Sequence, residues 1–283
     1  MTKVVAVSGG VDSMVMLDLM CQKYPRNELL VAHFNHNARP SAQADFEFVR
    51  NFCARERLKF ASKTMFCDSS PGLPEERARK NRYNFLFSLG GESVYVAHHL
   101  DDLVESIAIN LIRGTGWRGL AVMNRPGLRR PLIDGEFDGK IYDQCDVLCY
   151  AASHSITFRQ DPTNTEVTYL RNRLRPRVMA LPRETKEKLL DLRNRTCEIT
   201  GIVQGEIKKL VPESAAIPRQ LFCDLPDEVA LEALRYITEV RYHIPCTRPQ
   251  LQDFLTAVRK YHPGKQFNLP GGKLVEMGRI YFR

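Results

Sequence analysis

The sequence predicts an α/β protein: a mostly parallel, doubly wound sheet, a helical linker and a small α+β C-terminal domain. Three observations carry that expectation. Short runs rich in β-branched and aromatic residues alternate four times with helical patterns within the first 113 residues. The stretches "SGGVDS", "HFNHNAR" and "AHHLDD" each sit at the end of such a run, where an open parallel sheet holds its ligand. A basic middle segment is then followed by a tail with helix and hairpin signals of its own.

The elements follow in order. "KVVAVS" reads as a strand and 11 to 23 as a helix; "LLVAHF" precedes a helix over 42 to 57; "KFASKTMF" precedes one over 75 to 88; "SVYVAHH" precedes one over 101 to 113. Four strand-then-helix repeats imply right-handed crossovers with helices on both faces of the sheet. After Pro131 the pattern loosens. "YDQCDVLCYAASHS" reads as a helix, "FRQDPTNTEVTY" as a loop, and a basic helical segment starts at Leu170. Pro182 breaks that segment, and one long helix follows with Gly201 and Gly205 as weak points. In the tail, "PDEVALEALRYITEVR" is amphipathic. "TRPQLQDFLTAVRKYHPG" carries a capping box from Thr247 to Gln250 and Gly264 as its stop. "KQFNLPGGKLVEMGRIYFR" reads as a hairpin turning at Pro270, Gly271 and Gly272. The expected boundaries are 1–181 for the α/β domain, 182–215 for the linker and 216–283 for the small domain.

Composition narrows the class. With 43% hydrophobic and 26% charged residues in 283, the chain has a folded protein's balance. No apolar run approaches the roughly 20 residues that cross a bilayer, and the N-terminus enters a strand pattern rather than a signal peptide. The expectation is a cytoplasmic protein with no membrane partner. Eight cysteines without a CxxC pair argue for reduced thiols, against a disulfide framework and against a zinc ribbon. Cys145 and Cys149 lie four apart, and buried apolar packing is expected of them rather than metal binding.

The net charge of +8 is unevenly placed: Tyr169 to Arg195 and Arg235 to Arg283 each hold nine Lys/Arg against three Asp/Glu, so together they carry +12 and the rest −4. A polyanion touching the middle and the C-terminal end accounts for this; a solvated basic surface accounts for it equally well from charge alone.

Several residues have the character of a site. In "SGGVDS", Gly9 and Gly10 allow close backbone approach, and the helix starting near Val11 offers unpaired amides and a positive dipole end. Ser8 and Ser13 add hydroxyls, and Asp12 a carboxylate. The pattern is neither a Walker A loop nor GxGxxG, and five specified residues between strand and helix favour a phosphate seat over an ordinary turn. Asp102 and Glu105 are three apart, on one helix face, where paired carboxylates suit an ammonium group. The same spacing fits an N-cap and its capping-box partner, and spacing alone favours the cap. Arg79 and Arg82 lie on a helix begun by Pro74, as anion ligands or as a solvated face. His98 and His99 close a strand and are expected to be structural.

Here the chain resembles a known family. "SGGVDS" is similar to the SGGxDS loop of the N-type ATP pyrophosphatases, the PP-loop superfamily. "HFNHNAR", "EERARKNRYNFL", "AHHLDDLVES", "NLIRGTGWRGLAVM", "RRPLI", "DPTNTEVTYLRNRLR" and "FNLPGGKLVEMGRIYF" follow the order and approximate spacing of the tRNA(Ile)-lysidine synthetases. The resemblance implies a ligase that uses ATP, with Mg2+, to adenylate the wobble cytidine of a CAU-anticodon tRNA. L-lysine then joins carbon two of that cytidine, and AMP and pyrophosphate are released. It implies ATP binding by Ser8, Gly9, Gly10, Val11, Asp12, Ser13 and Arg79, magnesium placement by Asp12, and lysine binding by Asp102 and Glu105. Asp12, Arg79, Asp102 and Glu105 become the catalytic set, and Arg171, Asn172, Arg175 and Arg177 the tRNA contacts.

The resemblance reverses the preference for a cap at Asp102 and Glu105. Leu103, Ser106 and Trp117 depart from the residues common in the family, beside the motif positions rather than on them. Some members carry a second small C-terminal domain, so the expectation is that this chain reads the tRNA acceptor end with less protein. A homodimer is a candidate assembly. A PP-loop tRNA thiolase and a non-catalytic tRNA-binding protein are the rival readings; the missing CxxC and the intact Ser8, Asp12, Asp102 and Glu105 weigh against them.

Overall fold

The computed structural model describes residues 2–35, 42–65, 75–137, 139–159, 170–214 and 216–282. Residues 36–39 of "HFNHNAR", Cys67, Pro74, residues 160–169 of the loop before Leu170, and the Asn172 side chain lie outside the described residues.

Five strands make the main sheet: β1 (Lys3–Ala6), β2 (Leu29–Asn35), β3 (Lys59–Thr64), β4 (Ser93–Tyr95) and β5 (Leu128–Arg129). Their spatial order is β3-β2-β1-β4-β5. All four pairings are parallel, with Val4 opposite both Leu30 and Val94. The helices between them are α1 (Val11–Lys23), α2 (Ala42–Arg55), α3 (Glu75–Ser88) and α4 (Leu100–Ile112). This is the doubly wound α/β arrangement expected from the sequence. β5 was not among the four anticipated runs, because two residues carry no periodic signal. It is pinned by Val94 and Val96 N–H groups donating to the Gly127 and Arg129 carbonyls, at 2.9 and 3.0 Å.

Strand periodicity divides the core between two faces. Val5, Val7, Val31 and Tyr95 pack with Met14, Leu17 and Met20 of α1 and Val49 and Cys53 of α2. Their neighbours Val4, Ala32, Val94, Val96 and Leu128 pack with Tyr83, Phe85 and Leu86 of α3. A third cluster sets Leu100, Leu103, Val104 and Ile107 of α4 against Val178 and Leu190 from later helices.

Those later helices are α5 (Gln144–Ser153), α6 (Leu170–Met179) and α7 (Arg183–Leu210). α6 tolerates Pro176 inside it. α7 runs unbroken for 28 residues, so Gly201 and Gly205 do not interrupt it; each lowers helix propensity by only about 1 kcal/mol relative to Ala. Cys145 and Cys149 correct another expectation: both thiols are exposed on α5 rather than buried.

The chain divides into two compact units, Met1–Thr196 and Cys197–Arg283, the division falling within α7. In the second unit β6 (Ile217–Pro218) precedes α8 (Arg219–Asp224), α9 (Asp227–Tyr236) and α10 (Arg248–Lys260). The strands β7 (Gln266–Asn268), β8 (Leu274–Glu276) and β9 (Tyr281–Phe282) follow. α9 passes into a π-helical turn, Ile237–Arg241. Thr247 and Gln250 cap α10 as anticipated, the Gln250 side chain accepting the Thr247 N–H at 2.8 Å. Gly264 is not its stop. The helix ends at Tyr261 in extended conformation, and Gly264, at φ +85°, donates its N–H to the Met277 carbonyl at 2.8 Å. β7 and β8 pair as the expected hairpin, and β6 pairs with β9.

Phe254 is the keystone of this small core, stacked on Phe267 at 5.1 Å and edge-on to Phe282 at 5.7 Å. Phe254→Ala should cost about 3–5 kcal/mol, read as a lower calorimetric unfolding transition; a change below 1 kcal/mol would contradict this packing.

Candidate active site

The turn after β1 is organised by one hydroxyl. Ser13 Oγ accepts the Ser8 and Gly9 N–H groups, both at 3.2 Å, and donates to the Gly10 carbonyl at 2.9 Å. Ser8 Oγ sits 3.2 Å from Ser13 Oγ and accepts the Gly10 N–H at 3.3 Å. Gly9 has φ +97°, and a Cβ there would come 3.4 Å from Val49 Cγ2. It is the backbone conformation, more than the space, that asks for glycine here. Gly10 is the N-cap of α1 and supplies no side-chain cap, so the first-turn amides and the positive dipole end face outward for an anion.

Asp12 stands in that first turn. Gln144 Nε2, from the start of α5, donates to its Oδ1 at 3.1 Å. Burial raises the Asp12 pKa and the nearby Asp102 adds to this; His99, the Gln144 hydrogen bond and Arg175 offset them in part. Gln144 is held in turn, since its N–H donates to Asp101 Oδ2 at 2.9 Å and Asp101 pairs with Lys186 of α7 at 2.7 Å. Both partners of that pair are at least 95% buried, the one deep ion pair tying α4 to α7 among the described residues. Neither Gln144 nor Lys186 was found from sequence. Only the Asp101–Asp102 doublet in "HHLDD" hinted at a second buried acid.

The α4 start settles the register of its cap. Asp102 Oδ2 accepts the His99 N–H at 3.1 Å, so the box runs from His99 to Asp102 and not from Asp102 to Glu105. Burial works against ionising Asp102, but His99, His98, Arg171 and the His99 N–H outweigh it and hold the carboxyl below its ordinary range. Glu105, released from capping, is 0% exposed. It accepts Arg171 Nε at 2.9 Å and Arg175 Nε at 3.1 Å on its two oxygens. Arg171 also reaches Ser106 Oγ at 3.3 Å.

The structure thus gathers the Ser8–Ser13 turn, Asp12, Asp102, Glu105, Arg171 and Arg175. Arg79 is exposed on α3 with its guanidinium 5.5 Å from the Tyr83 ring centroid, and it makes no hydrogen bond or ion pair with that group among the described residues. Arg177 is exposed on α6. His98 is buried, and burial, with Arg130, Arg82 and Arg171 nearby, pushes its imidazole down to about 3 against the pull of Asp102. It is neutral at physiological pH. Among the described residues no three acids, histidines or cysteines converge on one point. Asp12 and Asp102 are instead a carboxylate pair whose repulsion a hard cation would relieve.

Residues 2–181 match the family model described as a PP-loop domain. The chain belongs to the PP-loop family. Membership implies that it binds ATP. It is 31% identical over 222 residues to a tRNA(Ile)-lysidine synthase of Thermotoga maritima, covering 74% of this chain and 52% of that one. It is 34% identical over 198 residues to one of Enterococcus faecalis, covering 67% and 42%. The chain therefore spans about half the length of the curated relatives it matches. Among solved structures it shares its fold with the U34-tRNA thiolase NcsA of Methanococcus maripaludis, with TM-score 0.57, 18% identity, and 70% and 72% coverage. No helix among the described residues is long and apolar enough to cross a membrane.

The raised pKa of Asp12 gives a signed expectation. An acid whose folded pKa lies above its unfolded one destabilises the fold while ionised, and the penalty fades as pH falls through the carboxylate range. Asp12→Asn should therefore melt above the parent at pH 7, with the gap closing by pH 4, in parallel thermal melts. A variant that melts below the parent at pH 7 would refute the burial argument.

Proposed function

We propose that this chain is a tRNA(Ile)-lysidine synthetase. The observation that carries the reading is the convergence, in a PP-loop protein, of an uncapped helix start with Asp12, Asp102 and the buried Glu105. The names of its relatives support it.

The Ser8–Ser13 turn holds the ATP phosphates on its outward amides, and Arg79 steadies charge on the α-phosphate and departing pyrophosphate. Asp12, with Asp102 beside it, would hold a magnesium ion, which would supply neutralising charge for the phosphates. The O2 atom of the wobble cytidine attacks the α-phosphorus, and the bond to pyrophosphate breaks. The side-chain amine of L-lysine, having given up a proton, attacks carbon two and expels AMP. Arg171, Asn172, Arg175 and Arg177 contact the tRNA around its CAU anticodon.

Glu105 makes these assignments interdependent. Its carboxylate is shared between Arg171 and Arg175, so a lysine ammonium reaching it releases arginine charge toward RNA phosphate. Lysine and tRNA then favour each other's binding, while Asp102 offers the ammonium its first contact. The thiolase reading keeps one observation in its favour: the exposed Cys145 and Cys149 on α5, beside Gln144.

Purified protein with ATP, magnesium, lysine and a CAU-anticodon tRNA should form lysidine by nucleoside mass spectrometry and release AMP only when lysine is present. Thiolated nucleoside instead would establish the rival. Asp12→Ala should abolish AMP release. Glu105→Gln should raise the KM for lysine at least tenfold and, by stripping two arginines of their counter-charge, cost about 3 kcal/mol of stability. An unchanged lysine KM in a folded Glu105→Gln variant would return Glu105 to a purely structural role.

A further inference from the structure

Four arginines gather round one buried tyrosine on the α3 face of the sheet. Tyr83 is 1% exposed. The guanidinium carbons of Arg79, Arg82 and Arg125 lie 5.5, 5.2 and 4.7 Å from its ring centroid. Arg130, directly after β5 and 5% exposed, is close enough to feel the Tyr83 hydroxyl and the like charge of Arg79. His98, after β4, feels Arg130 and Arg82.

Arg130 alone of the four is buried, Arg82 being half-buried and Arg79 and Arg125 exposed; a buried unpaired charge costs several kcal/mol unless something compensates it. Among the described residues no carboxylate forms an ion pair with any of the four. Asp134, whose charge acts on Arg130, accepts the main-chain N–H of Arg130 on Oδ2 at 2.9 Å and forms no ion pair with the guanidinium. Cation–π contact with Tyr83 recovers part of the cost, of order 0.5–2 kcal/mol per arginine.

Polar satisfaction gives a second, independent sign. Tyr83 Oη, His98 Nδ1 and Arg130 Nε are all buried without a hydrogen-bond partner. A buried orphan donor costs about 1–3 kcal/mol, so two of them side by side, Tyr83 Oη and Arg130 Nε, point to an acceptor that the fold itself does not supply. Tyr83 Oη and Arg130 Nε both carry a hydrogen to donate. One multi-oxygen anion would satisfy both and lower the arginine repulsion.

We propose that Tyr83, Arg82, Arg125 and Arg130, with His98, form an anion subsite that takes a phosphate oxyanion. Its residues follow β4 and β5 or lie on α3, whereas the Ser8–Ser13 turn follows β1; Arg79, given above to the ATP phosphates, borders it at 5.5 Å from the Tyr83 ring centroid and is not counted in it. Phosphate reaches it from one of two sources, the pyrophosphate released from ATP or a phosphodiester of the RNA. The inference rests on the ligase reading for those sources and not for the existence of the site.

The test uses the full chain, inorganic pyrophosphate and a CAU anticodon stem-loop RNA, with Arg130→Met and Tyr83→Phe. Because the buried Arg130 has no ion-pair partner among the described residues, Arg130→Met should melt at or above the parent without ligand. By titration calorimetry, its Kd for at least one of the two ligands should weaken tenfold or more, and that of Tyr83→Phe at least threefold. Loss confined to pyrophosphate assigns the leaving group; loss confined to the stem-loop assigns a phosphodiester. Unchanged affinity for both ligands in Tyr83→Phe and in a folded Arg130→Met would overturn the proposal, as would a parent that binds neither. Failure to form lysidine leaves the pyrophosphate titration standing, so the two readings fail separately.

Discussion

Everything at the candidate site depends on the parallel pairing of β1 with both of its neighbours. A four-residue strand in the middle of a sheet has no edge to water, and its backbone groups are satisfied only in register with β2 and β4. Because the strands run the same way, their carboxyl ends share one side of the sheet. The chain leaving β1 there makes the Ser8–Ser13 turn, the chain leaving β4 makes His98 to Asp102, and Arg130 follows β5. Residues more than a hundred positions apart become neighbours without any attraction between them having to arrange it.

Around that rim, charge has been buried in two different ways. Asp101 is satisfied by Lys186 and the Gln144 N–H, and Glu105 by two arginine Nε groups. These pairs fix helix positions, because a compensated charge in low dielectric holds its partner firmly. Asp12 and Arg130 are not compensated to that degree: burial pushes the first up and the second down from their ordinary ranges. Buried charges that the fold itself does not fully compensate suit ligands of opposite sign, a cation for the acid and an anion for the arginine. The framework and the candidate sites are built from the same residue types, distinguished by whether the fold supplies the partner.

The fold was largely legible from residue patterns. The apolar runs "KVVAVS" and "LLVAHF", each followed by a helix pattern, implied strands covered on both faces, and Val4 and Val5 indeed pack on opposite sides. The expected helix over 75 to 88 is the one observed, Glu75–Ser88. What escaped was short or nonlocal. β5 has two residues, too few for a period. The exposure of Cys145 and Cys149 depended on which face of α5 turns to α1, a packing choice that four-residue spacing leaves open. Gly264 marked a turn but not the helix end, because Tyr261 could leave the helix in an ordinary extended conformation.

The sequence by itself determined that a glycine-rich turn joins β1 to α1, that acids open α4 and that basic residues crowd α6; these are local properties, set by spacing and backbone preference. Tertiary structure alone decided what each charge does. Asp102 caps from His99 because the helix starts at Leu100, Glu105 faces inward to Arg171 and Arg175, and Asp12 depends on Gln144 from 132 positions away. A carboxylate's role follows from which partner shares its burial, and partners distant along the chain are chosen by packing rather than by spacing.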